Sequence, residues 1–182
     1  MSYKCNFKQG DLLKEDYATF IINASNTKLI LGSGVSISFK RHCGNKLQNE
    51  MNQKLQQIGI LKKGDVVATS ARDMKNFIYV LHVAVIDYNQ GIAKNTKLPV
   101  LQDIQNALEN IEKYIKWYIE NQQNVNVKLV LPLIGCGTGG LNKEDVIKLY
   151  KDFFCKKVSL TCEVVIYGHT TKDYKTILEI MH

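Results

Sequence analysis

Two short stretches combine residue types and spacing that suit chemistry: "LILGSGVSISFKRHCG", Leu29 to Gly44, and "LPLIGCGTGGLNKEDV", Leu131 to Val146. In each, an apolar run gives way to glycines and then to a helical pattern. A helix start presents unpaired N–H groups and the positive end of the helix dipole, and glycine lets the backbone approach an anion with no Cβ in the way. Ligands of open α/β sheets collect beyond the carboxyl ends of the strands. Two such loops, Gly32 to Val35 and Gly135 to Gly140, can clamp a diphosphate from both sides. Neither matches a commoner phosphate motif: Gly32-x-Gly34 lacks the third glycine of a dinucleotide fingerprint, and "GCGTGG" lacks the Lys-Ser/Thr of a P-loop.

Other chemistries find less support. Five cysteines (Cys5, Cys43, Cys136, Cys155, Cys162) are widely spaced with no CxxC pair, and four histidines show no metal-ligand spacing. No metal and no cofactor is expected. Cys136 lies in the second loop, but no histidine partner can be placed beside it, so it reads as a small filler and not a nucleophile.

The elements that must carry these loops alternate as in an α/β domain. "TFIINAS" reads as a buried strand, followed by a helix from Val35 interrupted near Gly44. "GDVVATSA" and "FIYVLHVAVIDY" read as two strands joined by the turn-rich "RDMKN". Pro99 introduces a helix whose apolar face comprises Leu101, Ile104, Leu108, Ile111, Ile115 and Tyr118. "VNVKLVLPLI" is a further strand, and after the second glycine loop Asn142 suits a helix cap with acidic residues in the first turn. "CEVVIYG" is the last strand, with a helix from Thr171.

At 182 residues the chain is expected to form one domain over 1–182, monomeric and cytoplasmic, with no apolar run long enough to span a bilayer. The N-terminus lacks the continuous apolar stretch of a secretory signal. A net charge of +7 favours phosphorylated or polyanionic partners, nucleic acid among them. The lysines are scattered, however, and no basic block interleaved with aromatics marks a nucleic-acid face.

The ordered pieces "QGDLLK", "IINASNTKLILGSGVSISFKRHCG", "GDVVAT" with "IYVLHVAV", "LVLPLIGCGTGGLNKEDV" and "EVVIYG" span nearly the whole chain. Together they resemble the macrodomain family, which binds ADP-ribose and often removes it from proteins or small acids. The second loop is similar to that of the terminal ADP-ribose glycohydrolase branch. The resemblance implies a three-layer α/β/α sandwich around a mixed, mainly parallel sheet of six or seven strands. It implies ADP-ribose or an ADP-ribosylated protein as partner. By the same resemblance, Asp11 matches the acid that accepts from the adenine amine, with Leu12 lining the base. Asn26 matches the asparagine that reaches the distal ribose and assists catalysis. Gly32, Ser33, Gly34, Val35 and Ser36 match the first ligand loop, and Gly135, Cys136, Gly137, Thr138 and Gly139 the second. Tyr167 matches an aromatic that packs on adenine; a strand-end tyrosine packed into the core is the other reading. Asn23 suits a structural cap at the strand end.

Departures from the pattern bear on the reaction. Ser36 stands where many hydrolytic members carry an aspartate, and Gly139 stands where the glycohydrolase branch has one. The lysine of that branch has only Lys94 and Lys97 as counterparts, and either could equally be solvated. Hydrolysis of the ADP-ribosyl linkage by a water held near the diphosphate is therefore one expectation. A non-catalytic ADP-ribose reader is the second, and an RNA- or polyanion-binding domain the third.

Overall fold

The computed structural model describes residues 3–32, 34–89, 91, 94–122, 126–156 and 161–182, with 94 and 95 as backbone only. Six strands, β1 (Tyr3–Gln9), β2 (Ala18–Asn26), β3 (Val66–Ser70), β4 (Phe77–Ile86), β5 (Val127–Pro132) and β6 (Cys162–Gly168), form one sheet in the order β1-β6-β5-β2-β4-β3. All neighbours are parallel except β3, which is antiparallel to β4. The helices are α1 (Val35–Ile58), α2 (Lys94–Lys97), α3 (Leu101–Asn121), α4 (Lys143–Phe154) and α5 (Thr171–Met181), with a 3-10 turn at Leu12–Lys14.

Strands β2, β4, β5 and β6 are almost continuously apolar because both their faces are covered. Phe39, Leu47 and Met51 of α1 pack with Ile21, Val130 and Val165 on one face. Ile104, Ile111, Val146, Tyr150 and Ile177, from α3, α4 and α5, pack with Phe20, Leu129 and Val164 on the other. The result is the expected three-layer sandwich on a mixed, mainly parallel six-stranded sheet.

Gly44 breaks the regular backbone inside α1, at φ 55° and ψ −142°, a conformation open to glycine but not to L-residues. Asn142 caps α4 by accepting from the Asp145 N–H, and Thr170 with Asp173 forms a capping box on α5. Three features differ from the sequence reading. Strand β1 has no counterpart there, because at the sheet edge its residues are mostly half-exposed and polar. The four-residue helix α2 is new. Leu101, assigned to the apolar face of α3, is 39% exposed in the first turn, where the helix overhangs the core. The strand expected over "VNVKLVLPLI" is described from Val127 to Pro132.

Candidate functional site

The turn from β2 leads into α1 on one face of the sheet, and the turn from the adjacent β5 leads into α4 on the other. A cleft opens at such a reversal. The two glycine loops face each other across it: a Cβ built on Gly34 would lie 3.7 Å from Thr138 Oγ1. Gly32, Gly34, Gly137 and Thr138 are exposed, and Val35 and Cys136 are half-buried. The amides of Gly34, Val35, Gly137 and Thr138 meet no acceptor among the described residues. Both walls of the cleft thus present N–H groups, one of them backed by the start of a long helix, which is an arrangement for an anion. Ser33 lies outside the described residues.

The first loop is held rigidly from below. Asn26 is 5% exposed; its Oδ1 accepts from the N–H groups of Lys28 and Ile30, at 3.1 and 3.2 Å, and its Nδ2 donates to the Ile30 carbonyl at 3.0 Å. Gln48 of α1 accepts from Leu31 N–H and donates to the Leu29 carbonyl, each at 2.8 Å. Leu29 is fully buried at φ 51°, a left-handed conformation uncommon for a non-glycine residue and maintained here by its surroundings.

Ser36 also turns inward. Its Oγ lies 2.8 Å from Asn23 Oδ1 and 2.9 Å from the Ala24 carbonyl, and the residue is 2% exposed. Asn23 Nδ2 donates to His82 Nδ1 at 3.0 Å, and His82 Nε2 lies 2.9 Å from Thr69 Oγ1. This fixes His82 as the neutral Nε2–H tautomer, and complete burial lowers its pKa to about 3. The Ser36 to Thr69 chain ties the start of α1 to the core.

The second loop closes on itself. Leu141 N–H donates to the Gly135 carbonyl and Gly140 N–H to the Gly137 carbonyl, both at 3.0 Å. A Cβ on Gly139 would lie 2.5 Å from the Gly135 oxygen and 2.8 Å from Pro99 Cγ, and one on Gly135 2.7 Å from Leu141 Cδ1. A Cβ on Gly137 would meet nothing within 4 Å. Burial raises the Cys136 thiol to about 12 despite the neighbouring Lys143 ammonium, so at neutral pH it is no thiolate. Lys143 reaches Asp173 Oδ1 at 2.5 Å and braces this loop against the start of α5.

Asp11 caps the 3-10 turn, its Oδ1 accepting from the Leu13 N–H at 3.0 Å, and is half-buried. That turn is anchored by Glu15, 2% exposed, which accepts from Lys8 at 2.8 and 3.0 Å, Lys128 at 2.9 Å and Tyr167 Oη at 2.6 Å. Burial pushes the Glu15 carboxyl upward, but the three donors outweigh it and hold the pKa at about 2.

Six of the expected site residues are placed inside the protein or have their side chains engaged there. Tyr167 is 6% exposed, packs in the core and donates to Glu15 instead of offering a free ring face, so the core reading describes it. The side chain of Asn26 is engaged with its own loop, and that of Ser36 points at Asn23, because the tight turn and buried helix start need those bonds. Gly139 is enclosed by its own loop and by Pro99. Leu12 is buried beneath the turn, and Gly135 is buried as well. The sequence reading missed Glu15, Gln48, His82 and Lys143, and read Asp173 only as part of a helix start. The partners that give most of these side chains their roles are distant in sequence: Lys128 and Tyr167 for Glu15, Leu29 and Leu31 for Gln48, Asn23 for His82 and Asp173 for Lys143. Among the described residues no cluster suits a metal ion, and no helix is long and apolar enough to cross a membrane.

The model of the Macro domain family matches residues 22–150. A protein of Sulfolobus acidocaldarius is 29% identical over 169 residues, covering 88% of this chain and 82% of that protein. A Thermotoga maritima protein is 26% identical over 97% of this chain, which spans only 28% of it. Among solved structures, a mutant Oceanobacillus iheyensis macrodomain with ADP-ribose superposes with a TM-score of 0.76 at 18% identity, covering 97% of this chain and 91% of that one. The Trypanosoma brucei macrodomain in complex with ADP-ribose gives 0.75 at 15% identity, over 98% and 69%. At these identities the structures show the fold.

Proposed function

Given that the chain belongs to the Macro domain family, we propose that it binds ADP-ribose, free or carried on a protein. The observation that carries this reading is the facing pair of glycine loops, with Gly34 opposite Thr138 and unpaired N–H groups on both sides. The diphosphate lies between the loops on the amides of Gly34, Val35, Gly137 and Thr138. The base lies toward Asp11, whose Oδ2 remains an acceptor for an exocyclic amine while Oδ1 holds the turn. The distal ribose lies toward Gly32, on the loop that Asn26 and Gln48 hold in shape.

Binding without turnover follows from what the cleft lacks among the described residues. Ser36 and Asn26 have their side chains committed inside the protein, and Gly139 has no room for a carboxylate. Among the described residues no general base reaches the clamp. Hydrolysis of the ADP-ribosyl linkage is the second reading, favoured by the exposed Thr138 hydroxyl beside Gly34, which can hold a water at the clamp. The proton acceptor in that case is the ligand's own phosphate.

Calorimetric titration with ADP-ribose, run beside a release assay on glutamate-, aspartate- and DNA-linked ADP-ribose with the same preparation, separates these readings. Saturable binding without release is the expected result, with binding abolished in folded Gly34→Val. Release that depends on Thr138 would establish the second reading. Indifference to ADP-ribose with salt-sensitive RNA binding would overturn both.

A further inference from the structure

Away from the glycine loops, a groove of about 790 Å³ runs along the free edge of β3, between the second half of α1 and α3. Its floor holds Phe20 and Tyr79, stacked with ring centroids 5.7 Å apart, and Tyr118, outside the lining, packs edge-on against both at 5.5 and 6.0 Å. Tyr114 and Trp117 form the α3 wall and Ile58 part of the α1 wall; Trp117 is 50% and Ile58 52% exposed. Large apolar side chains left open in a concavity of this size suit a small ligand.

A free sheet edge ordinarily invites another strand, but this one is closed by side chains. Tyr114 Oη donates to the Val66 carbonyl at 3.2 Å, and Glu50 accepts from the Ser70 N–H at 3.0 Å and its hydroxyl at 2.9 Å. An added strand would break these bonds, whereas a ligand lying on the rings would not. The charges that remain are selective. Glu50 is paired with Arg72 at 2.5 Å, and Asp65, at the Leu61 end, accepts from the Lys62 N–H at 2.7 Å. Lys54 and Lys113, on opposite walls, form no ion pair among the described residues; Lys113 reaches only Asn110, at 2.9 Å.

We propose that this groove is a second binding site, for a planar aromatic anion whose ring lies against Tyr79, Tyr114 and Trp117 and whose negative group meets Lys54 and Lys113. It is independent of the cleft assigned to ADP-ribose. Trp117 is the single tryptophan of the chain, so its emission reports the groove directly.

The test is titration of the full chain with 2-naphthoate, followed by Trp117 emission. Saturable quenching at one ligand per chain is expected, with 2-naphthalenemethanol, the uncharged analogue, binding about fivefold more weakly or worse. The Lys54→Ala/Lys113→Ala double variant should lose affinity for 2-naphthoate by a similar or larger factor and melt as the parent does. Saturating ADP-ribose should leave the titration unchanged. Equal affinity for the uncharged analogue, a double variant that binds like the parent, or displacement by ADP-ribose would each overturn the proposal.

Discussion

A single added methyl group should have opposite consequences at two glycines of one loop, Gly137 and Gly139. At Gly139 a Cβ would sit 2.5 Å from the Gly135 carbonyl oxygen and 2.8 Å from Pro99 Cγ, where ordinary contact begins near 3.4 Å. The obstructing oxygen is backbone and also accepts from the Leu141 N–H, so the loop cannot yield without losing that bond. Overpacking of this kind costs about 1–3 kcal/mol. For a domain of this size that lowers Tm by roughly 2–12 °C. At Gly137 the same methyl meets nothing within 4 Å, and the backbone is not left-handed. Stability should therefore change by less than about 0.5 kcal/mol, yet the methyl enters the cleft beside a free amide. Thermal melting followed by circular dichroism, with ADP-ribose calorimetry on the same samples, reads both effects. Gly139→Ala should melt early. Gly137→Ala should melt like the parent and bind at least about tenfold more weakly, a difference of roughly 1.4 kcal/mol. A Gly139→Ala protein as stable as the parent, or a Gly137→Ala protein with parental affinity, would refute this account of the loop.

Acid should destabilise the fold from well above the carboxylate range. His82 has a pKa of about 3 in the fold against an ordinary 6.5, so between these values the unfolded chain binds the extra proton and stability falls as pH is lowered, by up to about 1.4 kcal/mol per pH unit. Glu15, held at about 2 against 4.5, adds a loss in the same direction below pH 4.5; a Tm flat between pH 7 and 4 would contradict the His82 assignment, and no further fall between pH 4.5 and 2 that of Glu15. Asn23→Ala leaves His82 Nδ1 without its donor in a fully buried site, while the Ser36 hydroxyl keeps the Ala24 carbonyl, and should cost about 1–3 kcal/mol by denaturant unfolding. Ser36→Asp places a carboxylate against two oxygen acceptors, Asn23 Oδ1 and the Ala24 carbonyl; it should lower Tm and create no ADP-ribosyl hydrolysis, whereas a stable, newly active variant would show that position 36 faces the cleft. Tyr167→Phe removes one of three donor residues from buried Glu15 and should lower stability by about 1–3 kcal/mol, measured by urea titration.

Much of this protein is written locally. The order of strands and helices, the break at Gly44, the cap at Asn142 and the two glycine loops follow from the periodicity of apolar residues and from backbone conformations that few residue types allow. Strand β1 was not legible because an edge strand that is mostly half-exposed loses the apolar run that marks the central ones. What only the tertiary structure decided is where the polar side chains point. Asn26, Ser36 and Tyr167 each stand in motifs that suggest a ligand, yet each is turned into the protein: Asn26 by the backbone of its own turn, and Ser36 and Tyr167 by partners that packing brings close, Asn23 and Glu15, the latter at 152 positions' remove. A buried polar atom must find such a partner or incur the cost of desolvation. Which atom lies within 3 Å depends on how the layers close over the sheet, and that is set by contacts far apart along the chain.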